Sequence, residues 1–351
     1  MVYAWTDPVR GELYRDVEVV PAVTATLERE VVMFPNSEAR ELQLVLEAGR
    51  AEASGTVRLE LPEGWRAEPA QVSFTLPAAG DERSVRFRVT PPPGAKERGR
   101  LRAVVETAGR TESWSVRRIA HEHLPPLTVR APAEASLVPF PLVRGVKRLG
   151  YIPGPGDRVA ESLAAVGYEV TLLPEARLAT ERLERFDAIL VGVRAFNASP
   201  RLGQQRERLL KYVEAGGRLI VQYNTSSRVG PLAGFVSPYP LEVGRERVTD
   251  ERAAMTPVSA QEPLLTRPNR LTPEDAEGWV QERGLYFAST WDARYRPVFS
   301  MHDAGEAPLQ GGLLVARHGK GVYAYTGLAF FRQLPAGVPG AYRLLANLLS
   351  L

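Results

Sequence analysis

Three short stretches place side chains that could hold a polar ligand directly after apolar runs. Asp187-Ala-Ile-Leu-Val-Gly-Val193 leads into Arg194-Ala-Phe-Asn197. Arg218-Leu-Ile-Val221 leads into Gln222-Tyr-Asn-Thr-Ser226, and Phe330-Phe-Arg-Gln333 interrupts a third apolar run with Arg332 and Gln333. A guanidinium, amides, a phenol and hydroxyls supply donors and acceptors in fixed directions, which suits a carboxylate, a sugar or a peptide. The same side chains can instead cap the next helix or satisfy loop backbone. A buried Arg332 could equally be a loop tie to Glu282 or Asp303. Arg194, Asn197, Gln222, Tyr223, Asn224, Arg332 and Gln333 form the candidate ligand-binding set.

Catalytic chemistry has fewer handles. Glu282, Asp303 and Asp157, with His302, could form an acid/base pair if two carboxylates converged within about 5–10 Å. His302 and Asp303 are adjacent, however, and neighbours in a strand point to opposite faces. His121 and His123 flank Glu122 at a spacing that can share a metal, but a third ligand must come from elsewhere. His318 falls in a turn, where a solvated role is expected. The chain contains no cysteine, which removes disulfides, thiolate metal sites and thiol nucleophiles. Neither a G-x-S-x-G elbow nor H-E-x-x-H is present. Gly154-Pro-Gly-Asp157 precedes a helix start, a place for an anion, yet it is not a dinucleotide fingerprint. No catalytic residue, cofactor or metal is therefore assigned. Trp279, Tyr286, Phe287, Trp291 and Tyr295, with Glu282, Arg283 and Arg294, could stack a sugar or fill a lid-like subdomain core.

The elements that must position these residues read in two grammars. From about 17 to 120 the pattern alternates every second residue, as in Thr56-Val-Arg-Leu-Glu-Leu61 and Ser84-Val-Arg-Phe-Arg-Val-Thr90. Turn chemistry separates the runs at Pro62-Glu-Gly-Trp65 and Pro91-Pro-Pro-Gly94. This predicts an antiparallel, Ig-like β-sandwich over 1–120. Pro125, Pro126, Pro132, Pro139 and Pro141 predict a proline-rich linker over 121–146. Beyond it, strands at Lys147–Ile152, Tyr168–Leu173, Asp187–Val193 and Arg218–Tyr223 alternate with helical patterns. In the first, Val159, Leu163 and Val166 share a face after an N-cap at Asp157, and Gly167 ends the helix. A helix is expected over about 201–215. A hairpin turning at His318-Gly-Lys-Gly321 and a last helix over Tyr342–Leu349 follow. Alternation of this kind predicts a doubly wound, flavodoxin-like α/β domain over 147–351 with a parallel sheet.

Composition narrows the classes further. With 44 Lys and Arg against 41 Asp and Glu in 351 residues, the net charge is only +3. No basic block marks a nucleic-acid tail, and no apolar run reaches the roughly 18 residues of a membrane span. The first residues lack a signal-peptide pattern, so the expectation is either a cytosolic protein or a chain that follows a removed signal or an upstream domain.

The motifs also carry a resemblance. Leu61-Pro-Glu-Gly-Trp-Arg66 and Phe74-Thr-Leu-Pro through Val89-Thr-Pro-Pro92 resemble the β-sandwich associated with NPCBM modules of α-galactosidases. Val213-Glu-Ala-Gly-Gly-Arg-Leu-Ile220, Gln261-Glu-Pro-Leu-Leu265 and Gly319-Lys-Gly-Val-Tyr-Ala-Tyr-Thr326 resemble the class I glutamine-amidotransferase-like superfamily, nearest its ThuA-like branch. The two in this order resemble the C-terminal half of long bacterial PIG-L (LmbE-like) deacetylases. Gly192–Asn197, Val221–Asn224, Gly278–Phe287 and Phe330–Tyr342 carry that likeness. The resemblance implies a non-catalytic accessory region of a zinc-dependent N-acetyl-sugar deacetylase, extracytoplasmic, with a glycan, small polar ligand or the deacetylase itself as partner. The family's His-Pro-Asp-Asp zinc motif is missing here, so no zinc role is carried over. An amidotransferase would place its cysteine after the fourth strand, where this chain has Tyr223-Asn224, so the resemblance carries no glutaminase chemistry with it. The alternatives are a cysteine-independent hydrolase or isomerase using carboxylates, and a purely structural scaffold.

Overall fold

The computed structural model describes residues 2–16, 19–121, 124–199, 201–226 and 234–351. The chain divides into two compact units, Met1–Phe140 and Pro141–Leu351.

The first unit is a β-sandwich. One sheet runs in the order Val23–Leu27, Arg40–Ala48, Glu82–Thr90, Arg66–Glu68. The other runs Val31–Phe34, Glu134–Pro139, Gly99–Thr107, Ala53–Glu60, Gln71–Leu76, with Arg110–Glu112 also on Gly99–Thr107. Alternate residues of both sheets meet in one core, among them Leu42, Leu44, Leu46, Phe87, Val57, Leu101 and Leu137. Burying each such side chain contributes about 1.5–3 kcal/mol. All pairs are antiparallel except Val31–Phe34 with Glu134–Pro139, which run parallel.

Two strands occupy the stretch expected to be a linker over 121–146. Leu124–Pro132 pairs with Trp114–His121 as a hairpin, and Glu134–Pro139 lies inside the larger sheet. The prolines mislead for a physical reason. Pro132 and Pro139 each end a strand, and the hairpin is a two-stranded ribbon whose outer edges need no donor. The contrary signal was the alternation of Ala133, Ala135 and Leu137, all at most 3% exposed. The boundary between the units therefore falls at Phe140, whose amide donates to the Phe34 carbonyl. Glu122 and His123 of the His-Glu-His triplet lie outside the described residues.

In the second unit seven strands form one sheet: Glu169–Leu172, Arg148–Ile152, Ala188–Val191, Arg218–Gln222, Gly321–Thr326, Leu313–His318, Arg296–Pro297. The first five run parallel, Leu313–His318 runs antiparallel to Gly321–Thr326, and Arg296–Pro297 runs antiparallel to Leu313–His318. Leu219 and Val221 pack in one cluster with Leu209 and Val213 of helix Arg206–Glu214. Ile220 points the other way, and helix Pro339–Leu349 packs against that strand. Continuous burial of Ala188–Val191 follows from cover on both faces. The helix expected over 201–215 begins with a 3-10 turn, Leu202–Gln205, before Arg206–Glu214. Gly319 has a φ of +57° in the two-residue turn of the Leu313–His318 and Gly321–Thr326 hairpin, a conformation that favours glycine. His318 is half-buried rather than solvated, its ring edge-on to Tyr239 at 5.7 Å. Among the described residues no helix is long and apolar enough to cross a membrane.

Leu137 separates the linker expectation from the observed strand. Leu137→Ala should cost about 2–5 kcal/mol, as deletion of a core leucine does, whereas a linker residue would change stability by less than about 0.5 kcal/mol. Urea unfolding followed by circular dichroism measures the difference.

Candidate ligand site at the strand tips

The tips of the parallel strands are built by side chains that bind backbone. Asn224, fully buried, accepts from the Phe196 amide at 3.0 Å and donates to the Gln222 carbonyl at 3.0 Å. Asn197 holds Thr225 at both ends, donating to its carbonyl at 3.1 Å and accepting from its amide at 2.9 Å. Gln222, 1% exposed, donates to the Val191 carbonyl at 3.3 Å and to the Tyr151 hydroxyl at 3.5 Å. Its Oε1 is buried without a partner among the described residues. Turning the amide over would set that oxygen against the Val191 carbonyl, so the orientation is fixed. Gln333 accepts from the Val280 amide at 2.8 Å and donates to the Val280 and Glu282 carbonyls at 2.9 and 3.2 Å. Apart from Gln222 Oε1, these four amides of the candidate set direct their polar atoms at the protein's own chain.

Arg194, Tyr223 and Arg332 are placed differently. Arg194 adopts a left-handed φ of 57°, donates its amide to the Tyr223 carbonyl at 2.8 Å, and leaves its side chain exposed. The Tyr223 ring stacks on Tyr286 at 5.6 Å and leans on Phe331 at 5.3 Å. Burial raises the Tyr223 phenol's pKa, while Arg194 and Arg332 pull it back, so it is a neutral donor at pH 7. Its hydroxyl has no hydrogen-bond partner among the described residues. Arg332 donates to Glu282 at 2.7 Å, and its guanidinium lies 4.7 Å from the Phe331 ring centre.

Beside this group lies a cleft of about 410 Å³ lined by Ser226, Arg245, Arg247, Glu282, Leu285 and Tyr286. Arg245 donates to the Ser226 hydroxyl at 3.3 Å. Arg245 and Arg247 are exposed, and the sequence reading passed over both. Their signal was the spacing Arg245-x-Arg247, which puts two cations on one extended edge. Cations outnumber carboxylates here, so the cleft suits a ligand rich in acceptors or carrying negative charge.

The carboxylates considered for catalysis are each engaged. Asp157 accepts from the Tyr151 hydroxyl at 2.5 Å, the Val159 amide at 3.3 Å and the Val193 amide at 3.2 Å. It supports the helix start from one residue before the N-cap, which is Arg158. Asp303 accepts from the Thr249 amide and hydroxyl at 2.9 and 2.6 Å and from the Asp250 amide at 2.9 Å. His302 is exposed, with Nδ1 2.9 Å from the Asp303 carbonyl. Glu282 and Asp303 line neighbouring depressions that share Arg245 and Arg247, and Asp157 lines neither. Among the described residues no three His, Asp or Glu side chains are grouped to hold a metal. In the aromatic stretch, Trp279, Phe287 and Tyr295 are at most 4% exposed and act as core, while Tyr286 and Trp291 are half-buried.

Residues 38–107 match the family described as the NPCBM-associated, NEW3 domain of alpha-galactosidase. The matched stretch lies within the sandwich. No curated protein matches the chain by sequence. Among solved structures, native alpha-2-macroglobulin of E. coli is similar at 16% identity and a TM-score of 0.23, covering 37% of this chain and 7% of that one. The apo CBD1 domain of Calx is similar at 13% and 0.20, covering 34% of this chain and 98% of that one. The exo-beta-1,4-mannosidase Op5Man5 from Opitutaceae bacterium strain TAV5 is similar at 13% and 0.31, covering 57% of this chain and 35% of that one. The chain thus spans a small fraction of the macroglobulin and about a third of the mannosidase. All three likenesses are slight.

Two outcomes test this division of roles. Asn224→Ala and Gln333→Ala should each cost about 1–3 kcal/mol by orphaning buried backbone groups, whereas Arg194→Ala should stay within about 0.5 kcal/mol. Urea midpoints at neutral pH distinguish them. Burial, only partly offset by its hydrogen bonds, raises the Asp157 carboxyl above its ordinary value of 3.8. The folded state therefore holds this proton more tightly than the unfolded one. Its contribution to stability is full below about 3.8 and falls as pH rises through the higher folded value. Asp157→Asn should lack that decline when urea midpoints are compared between about pH 4 and pH 7.

Proposed function

We propose that the chain is a non-catalytic accessory region of a carbohydrate-active protein, of the kind that accompanies a PIG-L-like N-acetyl-sugar deacetylase outside the cytoplasm. In this reading the second unit has a glutamine-amidotransferase-like, flavodoxin-like frame that binds a polar glycan at its strand tips. The observation that carries the glycan part is the match of residues 38–107 to a domain named for alpha-galactosidase. The strand-tip cleft adds chemistry of the right kind. It offers the Tyr286 ring, backed by Tyr223 stacked on it, and the arginines Arg245 and Arg247, which donate in fixed directions. Binding is favoured over acyl transfer because Asn224, in the turn where an amidotransferase would carry its cysteine, spends its amide on Phe196 and Gln222.

A glycan array probed with the full chain tests this proposal. It should show binding to oligosaccharides, with uronic-acid-containing ones ahead of neutral ones. Tyr286→Ala, which removes the aromatic ring lining the cleft, should weaken the best binder by about three- to tenfold, the worth of one stacking ring. Arg247→Glu should weaken it by about tenfold or more, with a reduced dependence on salt. Absence of any glycan binding, or binding indifferent to both substitutions, would sink the reading of this cleft.

A further inference from the structure

A second cleft, of about 420 Å³, lies away from the strand tips in the insertion between Arg218–Gln222 and the final hairpin, with helix Pro339–Leu349 as one wall. Met255, Leu265, Leu271, Trp279 and Phe299 give it an apolar lining, and Arg283 is in its wall. Its volume is within the range of about 300–1,000 Å³ common for small-molecule sites.

Arg283 is the unusual member. It is 2% exposed, yet it forms no ion pair among the described residues. Other arginines of this unit, all more exposed, do pair: Arg296 with Glu262 at 2.5 Å, Arg332 with Glu282 at 2.7 Å, Arg343 with Asp275 at 2.9 Å. Arg283 instead donates Nε to the Ala253 carbonyl at 2.8 Å and Nη1 to the Ala276 carbonyl at 2.5 Å. Its guanidinium carbon is 5.3 Å from the Trp279 ring centre. Nη2 has no hydrogen bond among the described residues, and Arg283 lines the cleft. Burial pulls the group down to about 10, with Asp250 and Glu251 raising it from a distance, so it stays charged at neutral pH. A buried cation with neutral partners only is costly, and an anion brought to it recovers that cost. The other charged groups lining the cleft do not fill the role. Asp275 is bound to Arg343 and to the Thr272 amide, and Arg252 and Glu277 are exposed.

We propose that this cleft binds a small monocarboxylate with an aromatic or branched aliphatic body, the body against Trp279, Leu265 and Leu271 and the carboxylate on Arg283. A glycan does not suit the apolar lining, so this site is independent of the strand-tip cleft. Isothermal titration of the full chain with phenylacetate, 4-methylpentanoate, phenylacetamide and acetate tests it. The two larger acids should bind with Kd below about 1 mM. Phenylacetamide, which keeps the ring and loses the charge, should bind about tenfold weaker or worse, and acetate weaker still. Arg283→Gln should erase the preference for acid over amide. Because that change also removes two contacts to backbone, Leu271→Trp provides a second variant that fills the cleft without touching the guanidinium, and it should abolish binding of both. Equal affinity for acid and amide, no binding by any probe at about 10 mM, or undiminished binding by Leu271→Trp overturns the proposal.

Discussion

An amide side chain buried at the end of a parallel strand must find partners for its carbonyl and its NH2 group, because each left unsatisfied costs about 1–3 kcal/mol. For three of the amides here those partners are backbone groups of other segments. Asn224 reaches Phe196, Asn197 reaches Thr225, and Gln333 reaches Val280 and Glu282. Each bond joins two segments far apart in sequence, so the tips at Phe196–Asn197 and Asn224–Thr225 are tied to each other and Gln333 is tied to the Val280–Glu282 loop. The Tyr223 ring is held between Tyr286 and Phe331. The cleft therefore owes its shape to residues that do not face it.

Close backbone approach sets the second constraint. In a parallel sheet of this order the switch point falls between Arg148–Ile152 and Ala188–Val191, where an open crevice is usual. Here it is filled. A Cβ on Gly154 would sit 2.0 Å from the Val193 carbonyl oxygen, and one on Gly192 would sit 2.4 Å from the Gly154 nitrogen. Asp157 then closes the gap by accepting from the Val193 amide. The space open to a ligand is displaced along the sheet, toward the tips of Arg218–Gln222 and Gly321–Thr326.

Much of this was legible in the sequence, and the failures have identifiable causes. Alternation in Thr56–Leu61 and Ser84–Thr90 gave the sandwich because one face of each strand is buried. Proline content hid Glu134–Pro139, since composition does not tell a proline ending a strand from one in a linker. Arg194, Tyr223 and Arg332 were found at the tips because a polar residue after an apolar run marks a strand end. The same rule selected Gln222, Asn224 and Gln333, whose amides are turned inward. Spacing cannot separate these two outcomes. Whether a tip amide meets backbone or solvent depends on the neighbouring tip, which arrives from another part of the chain. The Arg283 cleft was illegible for the same reason, its lining being drawn from residues 252 to 344.

Two arginines of the second unit, Arg332 and Arg283, show how surroundings decide the role of one residue type. Arg332 lies half-exposed beside Glu282, and water screens whatever the pair leaves uncompensated. Arg283 is enclosed, and only carbonyl dipoles and the Trp279 ring face its charge. The first arrangement is complete without a ligand, since each charge has its counterion. The second is incomplete, since its charge has no counterion among the described residues and it lines a largely apolar cleft. A protein that only needed to brace the turns at Ala253 and Ala276 could do so with a neutral donor at lower desolvation cost. The retention of a full positive charge there is what distinguishes a site from a brace.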